Sequence, residues 1–265
     1  MTSDRQTIDI YEAQSDRYES RRSPGRLPEA EAFGARRPEG VAVDLGCGPG
    51  WYTAALGEPV VALDAALAML RRTREVAPGS LAVQAELGAL PLRAGALAGG
   101  WARNTYVHLR AVDVPLALHD LHRALAPGAP IEATFFEGDQ EGREVFPADD
   151  LPGRWFSTWP RHRLLDVLVG AGFDLTELDV RSGDDGTVLT VRADRARTLA
   201  DTVGPDVRLL VCGLNPSIRA ADADIGFVTP GNRFWPAALA AGIVTRDRDP
   251  RHAMAAHGVG MTDLV

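Results

Sequence analysis

Short apolar runs that stop at glycine or aspartate, spaced by helix-length segments, constrain this chain more than any other feature. VAVDLG (41–46), VVALD (60–64), LAVQAE (81–86), GGWARN (99–104) and IEATFF (131–136) read as strands. A helix-length segment lies between the first two, and VPLALHDLHRALAPG (114–128) reads as an amphipathic helix ended by Pro-Gly, with His119 and His122 on its polar face. Parallel strands need long crossovers to return. The alternation therefore predicts an α/β, Rossmann-like doubly wound sheet, mostly parallel, with helices on both faces. A helix over 161–172, then DLTELDV (174–180) and TVLTVRA (187–193) joined by Ser-Gly-Asp-Asp-Gly, add a closing antiparallel hairpin, which completes the sheet near residue 193.

Around that sheet the chain divides into four parts. Residues 1–36 read as an N-terminal helical cap in which Tyr11 and Tyr18, seven apart, share one helix face. Residues 37–195 hold the sheet, and 196–206 read as a polar linker with a Gly-Pro break. Residues 207–265 open on a new strand, VRLLVCGLNPS, and are too few for a well-covered parallel sheet of their own.

In VDLGCGPG, Gly46, Gly48 and Gly50 occupy the turn after the first strand, where missing side chains let backbone N–H groups approach a ligand at a helix N-terminus. The dinucleotide pattern G-x-G-x-x-G fails because Trp51 stands where its third glycine belongs. Asp44, at the carboxyl end of the strand, suits a cationic ligand better than a pyrophosphate. Asp64 ends the second strand, placed to accept both hydroxyls of a ribose.

Composition removes several chemistries. All 28 basic residues are arginine, so a phosphate-binding loop ending in Gly-Lys and a lysine Schiff base are both excluded. The two cysteines, Cys47 and Cys212, are far apart and form neither a disulfide framework nor a zinc site, so no metal is expected. The net charge of −8 argues against a uniformly basic nucleic-acid surface. No apolar run approaches the roughly 18 residues of a membrane helix. The first residues lack the apolar core of a signal peptide, and a cytoplasmic protein without a membrane partner is expected.

Over about residues 10–195 the sequence resembles the class I S-adenosylmethionine-dependent methyltransferases. VDLGCGPG is close to that family's first motif, VVALDAALAML resembles its second, and AELGALPL followed by WARNTYVHL resembles the acidic-loop and fourth-strand motifs. The resemblance implies S-adenosylmethionine as cofactor and methyl transfer to an acceptor that the sequence does not identify. It also implies that Asp44, Gly46, Gly48 and Gly50 hold the methionine end, Asp64 the ribose, and Glu86 with Leu87 the adenine. GALAGG replaces the acid that relatives often carry before the fourth strand, leaving Arg103 and Asn104 as polar groups near the methyl. Tyr106 and His108 are candidates to orient a nucleophile.

The C-terminal segment carries a second pattern: GLNPS after a strand, then GFVTPGNRFW. These stretches resemble the mismatch-specific uracil/thymine DNA glycosylases, and 207–265 would be a partial α/β domain of that kind, about the first third. By this likeness Asn215 positions the attacking water, while Phe227 and Asn232 bind an extruded base of a DNA partner. Two functions follow from the sequence. One is methyl transfer with an attached incomplete glycosylase-like domain. The alternative is a DNA repair glycosylase acting on G·U or G·T mismatches, with the first domain as a binding module.

Overall fold

A computed structural model describes residues 3–183, 186–214 and 216–263. Three helices open the chain: α1 (Arg5–Ala13), α2 (Ser15–Arg21) and α3 (Leu27–Arg36). There follow β1 (Val41–Leu45), β2 (Val60–Asp64), α4 (Leu67–Val76), β3 (Leu81–Gln84), β4 (Leu97–Ala102), α5 (Val114–Ala124), β5 (Pro130–Glu137), β6 (Glu141–Gly142), β7 (Phe156–Trp159) and α6 (Arg161–Gly170). The hairpin strands β8 (Phe173–Gly183) and β9 (Gly186–Arg195) complete the sheet.

The expected sheet is present. Its parallel core runs β3-β2-β1-β4-β5, and β9 lies antiparallel on the free edge of β5, with β8 outside it. Strands β1 and β2 are buried along almost their whole length, as continuous apolar runs in a parallel sheet should be. The main core gathers Val43, Leu45, Leu63, Leu118, Leu121, Ile131 and Phe135 between this sheet and α5.

Four departures from the sequence reading have physical causes. The segment after β1 is a short 3-10 turn, Thr53–Leu56, because Gly46, Gly48 and Gly50 all adopt positive φ and use up the residues a helix would need. Tyr11 and Tyr18 sit on two helices broken at Gln14, yet their rings still meet edge to face at 5.6 Å. An additional strand, β7, runs parallel to β5 beyond the end of β4, with Phe136 opposite Thr158. His119 and His122 are buried, at 1% and 0% exposure, rather than on a polar face.

Those histidines are enclosed from two sides, His122 by Phe173 and the Ala196 carbonyl, and both by the C-terminal segment. It contains β10 (Leu209–Gly213), α7 (Ile218–Ala223), α8 (Phe234–Ala240), α9 (Pro250–His257) and β11 (Val259–Asp263), with β10 and β11 paired in parallel over five positions. Trp235, Ala238, Ala253, Val259 and Met261 form its own small core. Asp224, just after α7, faces His122 Nδ1 at 3.2 Å and His119 Nε2 at 3.5 Å. The expected linker is part of this unit: the Thr202 N–H donates to the Met261 carbonyl (2.8 Å), and the Met261 N–H returns the bond (2.9 Å).

Candidate active site

A cleft of about 880 Å³ opens where β1, β2 and β4 end, roofed by α1, α2 and the 146–156 segment. This is the crevice at the carboxyl ends of the strands where open α/β sheets bind ligands. Asp44, Gly46, Gly48, Asp64, Leu87, Arg103, Asn104 and His108 all line it.

The three loop glycines do different work. A Cβ on Gly46 would lie 2.3 Å from Thr105 Cγ2, and one on Gly50 would lie 2.9 Å from the Thr73 Cα on α4. Both are close-approach positions, and Gly50 does not line the cleft, contrary to the expectation that it binds cofactor. At Gly48 the nearest atom to such a Cβ is Tyr18 Cε1, 4.0 Å away. Only there, among the three, is the missing side chain open space for a ligand.

Asp64 is fixed by the loop it faces: the Gly48 N–H donates to Oδ2 (2.9 Å) and the Ala66 N–H to Oδ1 (2.8 Å). Asp44, 2% exposed, accepts from the Thr53 hydroxyl at 2.7 Å. Burial pushes the Asp44 carboxyl up to about 7 and the Asp64 carboxyl up to about 6. The described partners of both carboxyls are neutral donors, a hydroxyl and backbone N–H groups, so the cleft floor is acidic without a paired arginine.

Asn104 follows β4 at φ 51, a left-handed conformation unusual for any residue but glycine. It is held there by Thr134, whose Oγ1 accepts the Asn104 N–H (2.7 Å) and donates to Asn104 Oδ1 (2.8 Å). Arg103 lies over the Tyr52 ring at 5.6 Å, in the cleft.

Two sequence expectations are corrected around this site. Tyr106 has no exposure and stacks on Phe135, so it belongs to the core and faces no substrate. Glu86 does not line the cleft; its Oε2 accepts the Ser3 N–H at 2.7 Å, while Leu87 does reach the lining. His108 is in place. Its Nδ1 meets the Trp155 carbonyl at 2.7 Å, which can only accept, so Nδ1 carries the proton and Nε2 accepts from the Tyr11 hydroxyl at 2.8 Å. Burial, reinforced by the nearby Arg154 cation, pulls the imidazole down to about 3 and keeps it neutral.

Sequence reasoning missed the roof. Arg154, 2% exposed, donates from Nη1 to the Tyr11 oxygen (2.5 Å) and pairs with Asp149. Arg22 pairs with Asp150, Arg143 with Asp4 (2.7 Å), and the Trp155 N–H donates to Thr7 Oγ1 (2.8 Å). The only sequence signal was the acid–arginine mixture within 143–154, which reads equally well as a solvated loop.

In the C-terminal segment, Asn215 lies outside the described residues. Neither Phe227 nor Asn232 lines the cleft. Phe227, at φ 59, packs on Phe234 with centroids 4.6 Å apart, and Asn232 Oδ1 accepts the Phe234 N–H at 2.9 Å, at the start of α8. The Asn232 oxygen is therefore engaged by backbone rather than free for a base.

Residues 43–131 match a family model described as a methyltransferase domain. Solved structures with this fold include the 1,6-didemethyltoxoflavin-N1-methyltransferase of Burkholderia thailandensis, determined with 1,6-didemethyltoxoflavin and S-adenosylhomocysteine. It is 19% identical, with a TM-score of 0.56 over 72% of this chain and 88% of that one. An S-adenosylmethionine-dependent methyltransferase from Mesorhizobium loti is 20% identical over 65% of this chain and 99% of its own, with a TM-score of 0.54. A chain from the Haloferax volcanii complex of the Trm112 methyltransferase activator with a methyltransferase is 19% identical over 72% and 97%, with a TM-score of 0.55. At these identities the likeness is one of fold. Among the described residues no helix is long and apolar enough to cross a membrane, and no group of three acidic, cysteine or histidine residues could hold a metal.

Proposed function

We propose that the sheet domain transfers a methyl group from S-adenosylmethionine to a small acceptor held under the α1–α2 roof. One observation carries this reading: the open space at Gly48 lies in a cleft floored by two buried carboxyls, Asp44 and Asp64, whose described partners are neutral donors. A cationic nucleoside fits such a floor, and a pyrophosphate does not. When bound, S-adenosylmethionine supplies an electrophilic methyl on a sulfonium, so the protein need only orient the acceptor and keep the site dry.

The residues then take distinct parts. Gly48 allows the backbone to approach the ligand, Asp64 accepts from the ribose hydroxyls, and Leu87 packs on the base. Arg103 serves the carboxylate of the methionine moiety, and the Asn104 amide nitrogen remains available as a donor because its oxygen is held by Thr134. His108 acts through Tyr11, fixing the direction of that hydroxyl. Calorimetry with S-adenosylhomocysteine tests the assignment: binding should be micromolar or tighter and fall at least tenfold in Asp64→Ala. Absence of binding would refute it.

A second reading concerns residues 207–265. We infer from GLNPS and GFVTPGNRFW that this part is uracil/thymine glycosylase-like, with Asn215 as the water-positioning residue and DNA as partner. Its support in the fold is local: β10 ends at Gly213, the first residue of GLNPS, and Phe227 is held at positive φ. The test is incubation with G·U duplex DNA. Release of uracil that Asn215→Ala abolishes supports the reading; no abasic product refutes it.

A further inference from the structure

The cleft extends well past its nucleoside end. Its volume of about 880 Å³ is near the top of the ~300–1,000 Å³ range of small-molecule sites, and one wall, which starts at Tyr18 beside Gly48, differs in chemistry from the acidic floor. That wall is a continuous belt of rings. Trp51 stacks on Tyr18 (16° between planes), Tyr18 meets Tyr11 at 5.6 Å, Tyr11 meets His108 at 5.5 Å, and His108 meets Phe156 at 4.8 Å. Phe146 extends the belt, 4.9 Å from Phe156. All of these rings line the cleft.

Two cations touch the belt, Arg22 over Tyr18 and Arg154 over both Tyr11 and Phe156, each at 5.1 Å. Both are already matched by carboxylates, Asp150 and Asp149, so the wall is polarisable with no charge left to satisfy, and its one stacked pair, Trp51 on Tyr18, gives it a planar face. Of the two phenol oxygens in it, on Tyr11 and Tyr18, the one fixed by the protein's own hydrogen bonds is that of Tyr11. That atom gives its hydrogen to His108 and receives one from Arg154, which leaves a single lone pair. Contacts between α1–α2 and the 143–155 segment cover one side of this compartment.

We propose that this compartment binds a small, planar, uncharged aromatic molecule whose single O–H or N–H donates to the Tyr11 oxygen. Resting on the methyltransferase reading, this assigns the acceptor's chemical class: an aromatic hydroxyl or a ring N–H. Charged amines and linear aliphatics are not accommodated.

The test uses the full chain saturated with S-adenosylhomocysteine and three probes of matched size, followed by ligand-observed NMR and calorimetry. 2-Naphthol should bind; 2-methoxynaphthalene, which lacks the donor, and 2-decalol, which lacks the flat ring, should each bind at least tenfold more weakly. Tyr11→Phe should weaken 2-naphthol roughly tenfold while S-adenosylhomocysteine affinity stays within twofold. Phe146→Leu, which keeps an apolar side chain, should weaken 2-naphthol and leave the methoxy and hydroxy forms in the same order. Equal binding of 2-naphthol and 2-decalol, no binding of 2-naphthol to a chain that binds S-adenosylhomocysteine, or indifference to Tyr11→Phe would each overturn the proposal alone. Failure to bind S-adenosylhomocysteine would overturn the methyltransferase reading and this proposal with it.

Discussion

Gly48 and Gly50 are two positions apart in one loop, and alanine at each should give opposite phenotypes. Gly50→Ala places a methyl against the backbone of α4 at Thr73, which cannot move aside, and should cost about 2–3 kcal/mol, seen as a Tm lowered by roughly 5–10 °C. Gly48→Ala meets open space and costs only about 1 kcal/mol for its positive φ, but should abolish S-adenosylhomocysteine binding in calorimetry. The acidic pair at the cleft floor gives a second prediction. Burial holds the Asp44 and Asp64 carboxyls at about 7 and about 6, so the free protein binds these protons more tightly than the unfolded chain does. Their contribution to folding is therefore fullest below the ordinary carboxylate range and is lost as pH rises through 6–7. A cationic ligand needs the ionised forms, so S-adenosylmethionine affinity should rise between pH 5 and 8. Binding at pH 6 should release protons, measurable as a buffer-dependent heat.

Among the elements, the roof is the part held by the most specific contacts. Arg154 is buried with Asp149, and removing one partner leaves a charge uncompensated, at a cost of about 3–5 kcal/mol. Asp149→Asn should accelerate amide exchange across α1 and the 143–155 segment while β1 and β2 keep their protection. Equal acceleration in the sheet would show that the roof is not a separate unit. This part of the molecule was also the least readable in the chain. Strands such as VVALD announce themselves by local apolar runs with a defined stop, and the β8–β9 hairpin by alternation around a glycine turn. The roof depends on pairs such as Tyr11 with His108 and Arg22 with Asp150, which join residues about a hundred positions apart and leave no periodic trace. The helix expected after β1 failed because the glycine count was read as a ligand feature and not also as a loss of helix-forming residues.

For the molecule as a whole, the seam between the sheet and the C-terminal segment is protonic. The His119 imidazole is held below its ordinary value by burial, and the Asp224 carboxyl is held low by the histidines it faces, although burial opposes this. His108, at about 3, adds to the same trend from the cleft. The unfolded chain binds these protons first, so the histidines' stabilisation is complete above about pH 6.5 and is lost as pH falls below it, while that of Asp224 is lost only as pH falls below the ordinary carboxylate range. Limited proteolysis should accordingly detach the C-terminal segment at pH 5 but not at pH 7.5, and Asp224→Asn should loosen it at both. His119 and His122 show the limit of reading one helix alone: their spacing suggests an outward stripe, and Phe173, the Ala196 carbonyl and the docked α7 region turn it into an interior.

Every positive partner that ties down the roof is a guanidinium, since the chain has no amine side chain to offer in its place. Guanidinium keeps its proton far into alkaline solution. The enclosure should therefore open no more readily at pH 10 than at neutrality, and reagents that acylate amines should leave its gate intact. Entry and exit of small molecules would then be set by thermal parting of the arginine clasps alone, which makes concentrated salt, and not base, the means of speeding that exchange.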